Sequence, residues 1–134
     1  HNTRAVIYGR GDQISILPKG KPIQKITLVC PKESILTKDV FKAFKKGENR
    51  EFEIAMNSYL FNFNEKYLYN DLLVPACLVS SKLNSIFQQI QALGLHPHLS
   101  GSGSTLFLFN LSDSQKEALK MIQDVTIIDT QEHQ

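Results

Sequence analysis

Short apolar segments of strand character alternate with helical segments along this chain of 134 residues, and this order constrains the fold more than any other feature. Ile26–Cys30, Leu106–Phe109 and Val125–Ile128 are apolar runs between proline or polar residues, as buried strands are. Helical patterns precede and follow the second run. Strands and helices in this order predict one α+β domain, with helices on one face of a mostly antiparallel, roughly ferredoxin-like sheet.

The helical segments carry start and stop signals. Thr37 is placed to cap a helix that closes at 45–47, and Asn70 to cap a short helix interrupted near Pro75. A third helix begins at Ser81 and stops at Gly94. The other predicted elements are a helix over 51–63, a helix opened by a capping box at Ser112 and Gln115, and strands Ala5–Tyr8 and Ile14–Leu17 around the turn Gly9–Asp12.

Charge is unevenly distributed although the net charge is only +2. Residues 1–50 hold 11 Lys and Arg against 4 Asp and Glu, and residues 51–134 hold 4 against 9. A basic first half suits an anionic small ligand, but a solvated face explains most of its lysines. No arginine stripe interleaved with aromatic residues occurs, and no apolar run could span a bilayer. We therefore expect no nucleic-acid partner and no membrane insertion.

Two cysteines, Cys30 and Cys77, lie far apart in apolar contexts. A disulfide between them is one interpretation, and buried reduced thiols in a cytoplasmic protein are the interpretation we favour. Neither cysteine has a second Cys or a His nearby at metal-ligand spacing. His96 and His98 form a His-x-His pair without an apparent third ligand, which favours a turn with two exposed imidazoles over a metal site.

The run Ser100–Thr105 (Ser-Gly-Ser-Gly-Ser-Thr), here called the Gly loop, is the most informative segment for function. Two glycines permit positive φ and close backbone approach to a ligand, and successive amides can form an anion-binding nest. It is neither a P-loop nor a dinucleotide fingerprint, because no Gly-Lys-Ser/Thr follows and the next element is a strand. A tight turn into a central strand is the simpler alternative.

Three further landmarks precede the Gly loop: Gly9-Arg10-Gly11-Asp12, then Pro31 with Ser34–Thr37 and Val40-Phe41, then Asn70-Asp71-Leu72. In this order they resemble the C-terminal half of a GHMP kinase, within the 4-diphosphocytidyl-2-C-methyl-D-erythritol kinase family. Asp12 and Leu73 stand where that family has Glu.

The resemblance implies a GHMP kinase C-terminal domain over 1–134, with 1–25 as lead-in strands from a missing N-terminal half and 26–130 as the core. It implies a full enzyme that transfers the γ-phosphoryl of ATP, with Mg, to a cytidine-diphosphate-linked methylerythritol in isoprenoid precursor synthesis. The family's nucleotide loop and its catalytic Asp and Lys belong to that other half. This chain therefore contributes no catalytic or metal-binding residue, and we expect it to be inactive alone.

By resemblance, Thr37 and Phe41 lie near the cytidine moiety, with Phe41 stacking on cytosine. For Phe41, a core position on an amphipathic helix is the alternative. The resemblance implies these substrate-binding residues: Thr37, Phe41, Gly101, Ser102, Gly103, Ser104 and Thr105. An aromatic-rich stretch, which we interpret as packing, consists of Tyr59, Phe61, Phe63, Tyr67 and Tyr69. For Asn70-Asp71, polar site residues are one interpretation, and a helix cap is the one we favour.

Two other functions remain open at this level. A ferredoxin-like module that binds a small regulatory ligand, as ACT domains do, accommodates a Gly-Ser turn between a helix and a strand. An interaction domain would instead bind another chain and no nucleotide-derived ligand. The ordered landmarks favour the kinase, because an ACT-like module needs neither the Gly-Arg-Gly-Asp opening nor Asn-Asp-Leu.

Overall fold

Four strands form one antiparallel sheet, and the predicted apolar runs account for three of them. The fourth, His98–Leu99, was not predicted as a strand. A computed structural model of the chain describes residues 5–8, 10–16, 25–45 and 65–130. The sheet consists of β3 (Ile26–Pro31), β4 (His98–Leu99), β5 (Leu106–Phe109) and β6 (Val125–Asp129) in the spatial order β4-β5-β3-β6. Strands β1 (Ala5–Tyr8) and β2 (Gln13–Ile16) form a separate two-stranded hairpin.

Helical segments lie between these strands. The helices are α1 (Thr37–Ala43), α2 (Leu73–Val79), α3 (Ser81–Ala92) and α4 (Asp113–Lys120), and Glu65–Tyr67 forms a 3₁₀ turn. Taking β3 to β6 as the first to fourth strands of the sheet, the spatial order is 2-3-1-4. Helices follow the first and third of these strands, which is the β-α-β-β-α-β arrangement of ferredoxin-like folds. The predicted fold class is confirmed.

The core lies between one face of the sheet and the helices. Val29, Leu106 and Leu108 point to this face and are at most 1% exposed, because alternate strand residues share a face. The helices contribute these core residues: Val40, Ala76, Leu83, Ile86, Ile90 and Leu119. Leu93, which the pattern placed on the apolar face of α3, is instead 45% exposed beyond the helix end.

Several predicted boundaries are confirmed. Gly94 follows α3 with φ +74°, and its N–H donates to the carbonyl of Gln91. Ser112 and Gln115 form the predicted capping box at the start of α4. β5 lies between β4 and β3, as predicted for a central strand; Leu106 and Leu108 on one face are buried, and Phe107 and Phe109 on the other face are half-buried.

Other predictions about the helices are wrong. Helix α1 has Leu36 as its N-cap, without a side-chain capping bond, and it ends at Ala43. The N-cap of α2 is Leu72, and Pro75 does not interrupt that helix. Pro75 occupies the first turn, where a backbone N–H has no partner inside the helix. The helix predicted over 51–63 lies outside the described residues.

Candidate functional site

The Gly loop closes the hairpin between β4 and β5. The N–H of Ser100 donates to the carbonyl of Thr105 (3.0 Å), and the N–H of Gly103 donates to the carbonyl of Ser100 (3.0 Å). Gly101 has φ +57° and Gly103 has φ +89°, so both use the conformational freedom of glycine. Because two of its amides are bonded within the loop, the loop is a defined turn, and those two amides are not directed at a ligand.

Thr37 meets the Gly loop across 65 residues of sequence. Its Oγ1 lies 2.9 Å from Oγ of Ser102 in a hydrogen bond. The hydroxyl that was expected to cap α1 is used for this contact instead. The first residue of α1 and the middle of the Gly loop therefore form one continuous polar surface.

Asn70 holds the same loop from another side. Its Nδ2 donates to the carbonyl oxygens of Leu99 (3.0 Å) and Gly101 (2.7 Å), and its Oδ1 accepts from the N–H of Leu72 (3.0 Å). The predicted role as the N-cap of α2 is therefore wrong, because the side chain bonds the residue before the helix and bridges to the loop. Sequence reasoning missed this function, although the Asn-Asp-Leu landmark was its signal.

Two further hydroxyls of the loop also have partners within the protein. Ser104 Oγ donates to the carbonyl of Glu33 (2.7 Å), and Thr105 Oγ1 lies 4.0 Å from the sulfur of Cys30. The Glu33 carboxylate accepts in turn from the hydroxyl of buried Ser80 (2.8 Å), the N-cap of α3. Ser104 thus fastens the loop to the β3–α1 connection and Thr105 lies against β3, a role that the sequence did not reveal.

The two glycines of the loop have different surroundings. A Cβ at Gly103 would lie 3.0 Å from Leu99 Cδ1 and also near Leu83 and Ile35. A side chain at Gly103 would therefore point into the core, where these residues already fill the space. A Cβ at Gly101 would meet nothing within 4 Å, so Gly101 is the position where the backbone is open to a ligand.

Phe41 lies one helical turn after Thr37 on α1 and is 57% exposed. Val40 is the residue by which α1 enters the core, and it is fully buried. The core interpretation of Phe41 is therefore wrong. An exposed aromatic ring one turn from a hydroxyl that contacts the Gly loop is available for stacking on a planar ligand.

A cavity of about 970 Å³ lies between the end of α1, residues 65–78 and strand β4. Asn70 and Leu99 line it, whereas Thr37, Phe41 and residues 100–105 do not. Its wall also includes Phe44, Lys45, Glu65, His98 and Phe107. Asn70 thus lines this cavity and also bonds the Gly loop.

The two histidines differ from the predicted pair of exposed imidazoles. His96 is exposed, whereas His98 lies in β4 with its ring centroid 5.3 Å from that of Phe107 and 5.9 Å from that of Phe109. Its Nε2 lies 3.3 Å from Oε1 of Glu65. In the part of the chain that the structure describes, no group of three or more His, Cys, Asp or Glu could hold a metal ion.

The two cysteines are free thiols, and both are half-buried. Burial raises the pKa of the Cys77 thiol, which favours its protonated form. Within the described ranges, no helix is long and apolar enough to cross a membrane.

Comparisons with known proteins agree with the landmarks. No protein-family model matches the chain. It is 32% identical over 120 residues to the 4-diphosphocytidyl-2-C-methyl-D-erythritol kinase of Hydrogenobaculum sp. (strain Y04AAS1), a match that covers 87% of this chain and 41% of that relative. The chain thus spans less than half the length of this curated relative.

A solved structure shows the same fold. The crystal structure of a 4-(cytidine 5'-diphospho)-2C-methyl-D-erythritol kinase superposes with a TM-score of 0.66 and 22% sequence identity. The match covers 93% of this chain and 48% of that one. Sequence identity and fold therefore both show that this chain is similar to part of the 4-diphosphocytidyl-2-C-methyl-D-erythritol kinases, in agreement with the landmarks, which resemble the C-terminal half of that family.

Proposed function

We propose that this chain is the C-terminal half of an ATP-dependent kinase that phosphorylates 4-diphosphocytidyl-2-C-methyl-D-erythritol in isoprenoid precursor synthesis. The observation that carries the proposal is the convergence of three landmarks. Thr37, Asn70 and the Gly loop are far apart in sequence and are joined by hydrogen bonds of 2.7–3.0 Å. A small-molecule site assembled from several elements has this organisation.

In this proposal Phe41 stacks on the cytosine ring, and the surface of Thr37 and Ser102 supplies hydroxyl donors and acceptors beside it. The backbone at Gly101 is open for close approach. Phosphoryl transfer depends mainly on positioning and charge stabilisation, so a rigid polar loop contributes without a titrating side chain. ATP with Mg supplies the phosphoryl group, and by family resemblance the missing N-terminal half binds it.

In this proposal the missing N-terminal half also covers the exposed apolar side chains of this chain. Ile7, Ile14 and Ile16 of the β1–β2 hairpin are 63%, 65% and 74% exposed, and their pairing register places them on one face of that hairpin. Leu36, beside Thr37, is 59% exposed. A monomeric domain seldom leaves a contiguous apolar face in water, so a covering domain fits these residues. The proposal also includes a cytoplasmic location.

The ferredoxin-like order alone is compatible with an ACT-like ligand-binding module. That alternative leaves the contact of Thr37 with the Gly loop, the bridge from Asn70 and the exposure of Phe41 without a purpose. The kinase proposal uses all three.

The test is kinetic and uses a full-length kinase that carries this chain as its C-terminal part. Phe41→Ala should raise KM for the cytidylyl substrate by roughly tenfold or more, because base–aromatic stacking is worth about 1–3 kcal/mol. KM for ATP should change little. Phe44→Ala is the matched control, since Phe44 lines the cavity and not the proposed cytidine surface; it should leave both constants nearly unchanged.

An unchanged KM in folded Phe41→Ala protein would contradict the stacking role. A second measurement uses this chain alone with ATP and the cytidylyl substrate. No turnover is expected, and turnover that persists through further purification would contradict the division of the catalytic residues between two halves.

A further inference from the structure

We infer that Asn70 is a positioning residue for phosphoryl transfer, which clamps the Gly loop in register with the substrate surface of α1. This inference rests on the proposed function and deepens it. Asn70 does not touch the surface formed by Thr37 and Phe41; it acts through the loop. The sequence alone favoured a helix-capping role for this residue, and the structure points to another.

The chemistry of the clamp requires both a donor and an acceptor on one short side chain. The amide nitrogen of Asn70 spans two carbonyl oxygens, those of Leu99 and Gly101, which lie two residues apart. The amide oxygen accepts from the N–H of Leu72 at the start of α2. Asp offers no donor and Ser offers only one hydrogen, so only an amide completes all three bonds.

The clamped carbonyls lie on both sides of the point where the loop turns. Leu99 is the last residue of β4, and Gly101, with φ +57°, is the first glycine of the loop. Ser102, the next residue, is the one that contacts Thr37 on α1. Asn70 therefore fixes the backbone immediately before the residue that meets α1, and α2, which Asn70 precedes, packs against α1.

If the hydrogen bonds from Asn70 are lost, we expect the Gly loop to shift while its other contacts with the protein remain. Ser104 still bonds to the carbonyl of Glu33, so the loop remains attached at its far end. Reacting groups that are misplaced by about 1 Å can cost on the order of a hundredfold in rate. We therefore expect the loss in kcat, with substrate affinity largely retained through Phe41.

Two substitutions separate clamping from capping. Asn70→Asp keeps an oxygen for the N–H of Leu72 but removes the donor and turns a carboxylate toward two carbonyl oxygens. Asp is as good a residue as Asn at a helix start, so a purely structural role predicts a normal Asn70→Asp protein. Asn70→Ala removes all three bonds. Gln89→Ala is the control, since it removes an exposed amide hydrogen bond to Ser85 on α3, remote in sequence from the clamp.

In the full-length kinase, both Asn70 variants should lower kcat by about 10- to 100-fold while KM for the cytidylyl substrate changes less than about threefold. The Gln89→Ala enzyme should stay within about twofold of wild type. In this chain, hydrogen exchange of the Ser100 and Gly103 amides should accelerate in both Asn70 variants. The Leu72 amide should remain protected in Asn70→Asp and lose protection in Asn70→Ala.

Wild-type kcat together with wild-type exchange in the loop of Asn70→Asp would overturn the inference. The two proposals also fail separately. A wild-type full-length enzyme without kinase activity would overturn the proposed function and the catalytic role of Asn70 with it, whereas unchanged loop exchange in the Asn70 variants of an active enzyme would overturn the clamp alone. Because Asn70→Asp keeps the hydrogen bond at the start of α2, this variant tests the clamp even if Asn70→Ala does not fold.

Discussion

Alanine at Gly103 should destabilise the fold far more than alanine at Gly101, although both glycines have positive φ. The shared part of the cost is conformational. A Cβ in the left-handed region costs of order 1–2 kcal/mol, and φ is +57° at Gly101 and +89° at Gly103. Because open space surrounds a Cβ at Gly101, its conformational cost is the whole of the expected loss.

At Gly103 a packing cost is added. The new Cβ would stand 3.0 Å from Leu99 Cδ1, 3.7 Å from Leu83 Cδ2 and 3.8 Å from Ile35 Cδ1. Leu99 and Leu83 are 3% and 1% exposed, so they have little room to move. Overpacking a filled core costs about 1–3 kcal/mol. The expected totals are therefore roughly 1–2 kcal/mol for Gly101→Ala and roughly 2–5 kcal/mol for Gly103→Ala.

Thermal unfolding of this chain, followed by far-UV circular dichroism, measures the difference. At about 4 °C per kcal/mol for a domain of this size, Tm should fall by about 4–8 °C for Gly101→Ala and by about 8–20 °C for Gly103→Ala. In urea unfolding, an unchanged m-value (the dependence of the free energy of unfolding on urea concentration) would confirm that both substitutions change the stability of the fold and not the unfolded state.

A double-mutant cycle isolates the contact with Leu99. Leu99→Val shortens the side chain whose Cδ1 the new methyl group would meet, so Gly103→Ala should cost less in that background than in wild type. Equal Tm losses for the two glycine variants, or additive effects with Leu99→Val, would refute the view that Gly103 is held by core packing. They would return Gly103 to the set of positions that approach a ligand.

Three further predictions concern the frame around the site. Hydrogen bonds from Lys116 and then Thr27 lower the pKa of Asp129, so its stabilising contribution is present above the unfolded-state pKa near 3.9 and is lost as pH falls through the folded value. The stability gap between wild type and Asp129→Asn should thus shrink in acid, and a pH-independent gap in urea titrations would contradict this. Ser112→Ala, which removes an exposed capping box, should cost about 1 kcal/mol by chemical denaturation. Ser80→Ala should cost more, about 2 kcal/mol, because the buried hydroxyl both caps α3 and donates to Glu33; a smaller loss than for Ser112→Ala would be the contrary result.

The sequence determined those features in which the interacting groups are only a few residues apart along the chain. The stop at Gly94 depends on a residue that accepts positive φ directly after a helix, and it was predicted. The capping box at Ser112 involves groups three residues apart, and it was predicted as well. The continuous apolar run Leu106–Phe109 placed β5 in the interior of the sheet, and the order of elements predicted the fold class. The ordered landmarks pointed to the related kinases, because a series of motifs can be recognised from the amino-acid sequence alone.

The tertiary structure decided where polar side chains that have several possible partners are used. Thr37 and Asn70 are both good capping residues, and local propensity assigned each to its nearest helix start. Their actual partners lie 65 and 29–31 residues away, in the Gly loop, because the sheet brings β4 and β5 beside α1 and α2.

The same holds for Phe41 and Gly103. An aromatic residue on a short helix and a glycine in a polar loop have no preferred environment until the layers of the domain pack. Packing left Phe41 in solvent and pressed Gly103 against Leu99. The sequence by itself determined most of the described elements, though not strand β4, and it determined which proteins this chain resembles. Only the packing of those elements, through contacts between residues distant along the chain, decided which side chains are exposed beside the Gly loop and which hold that loop in place.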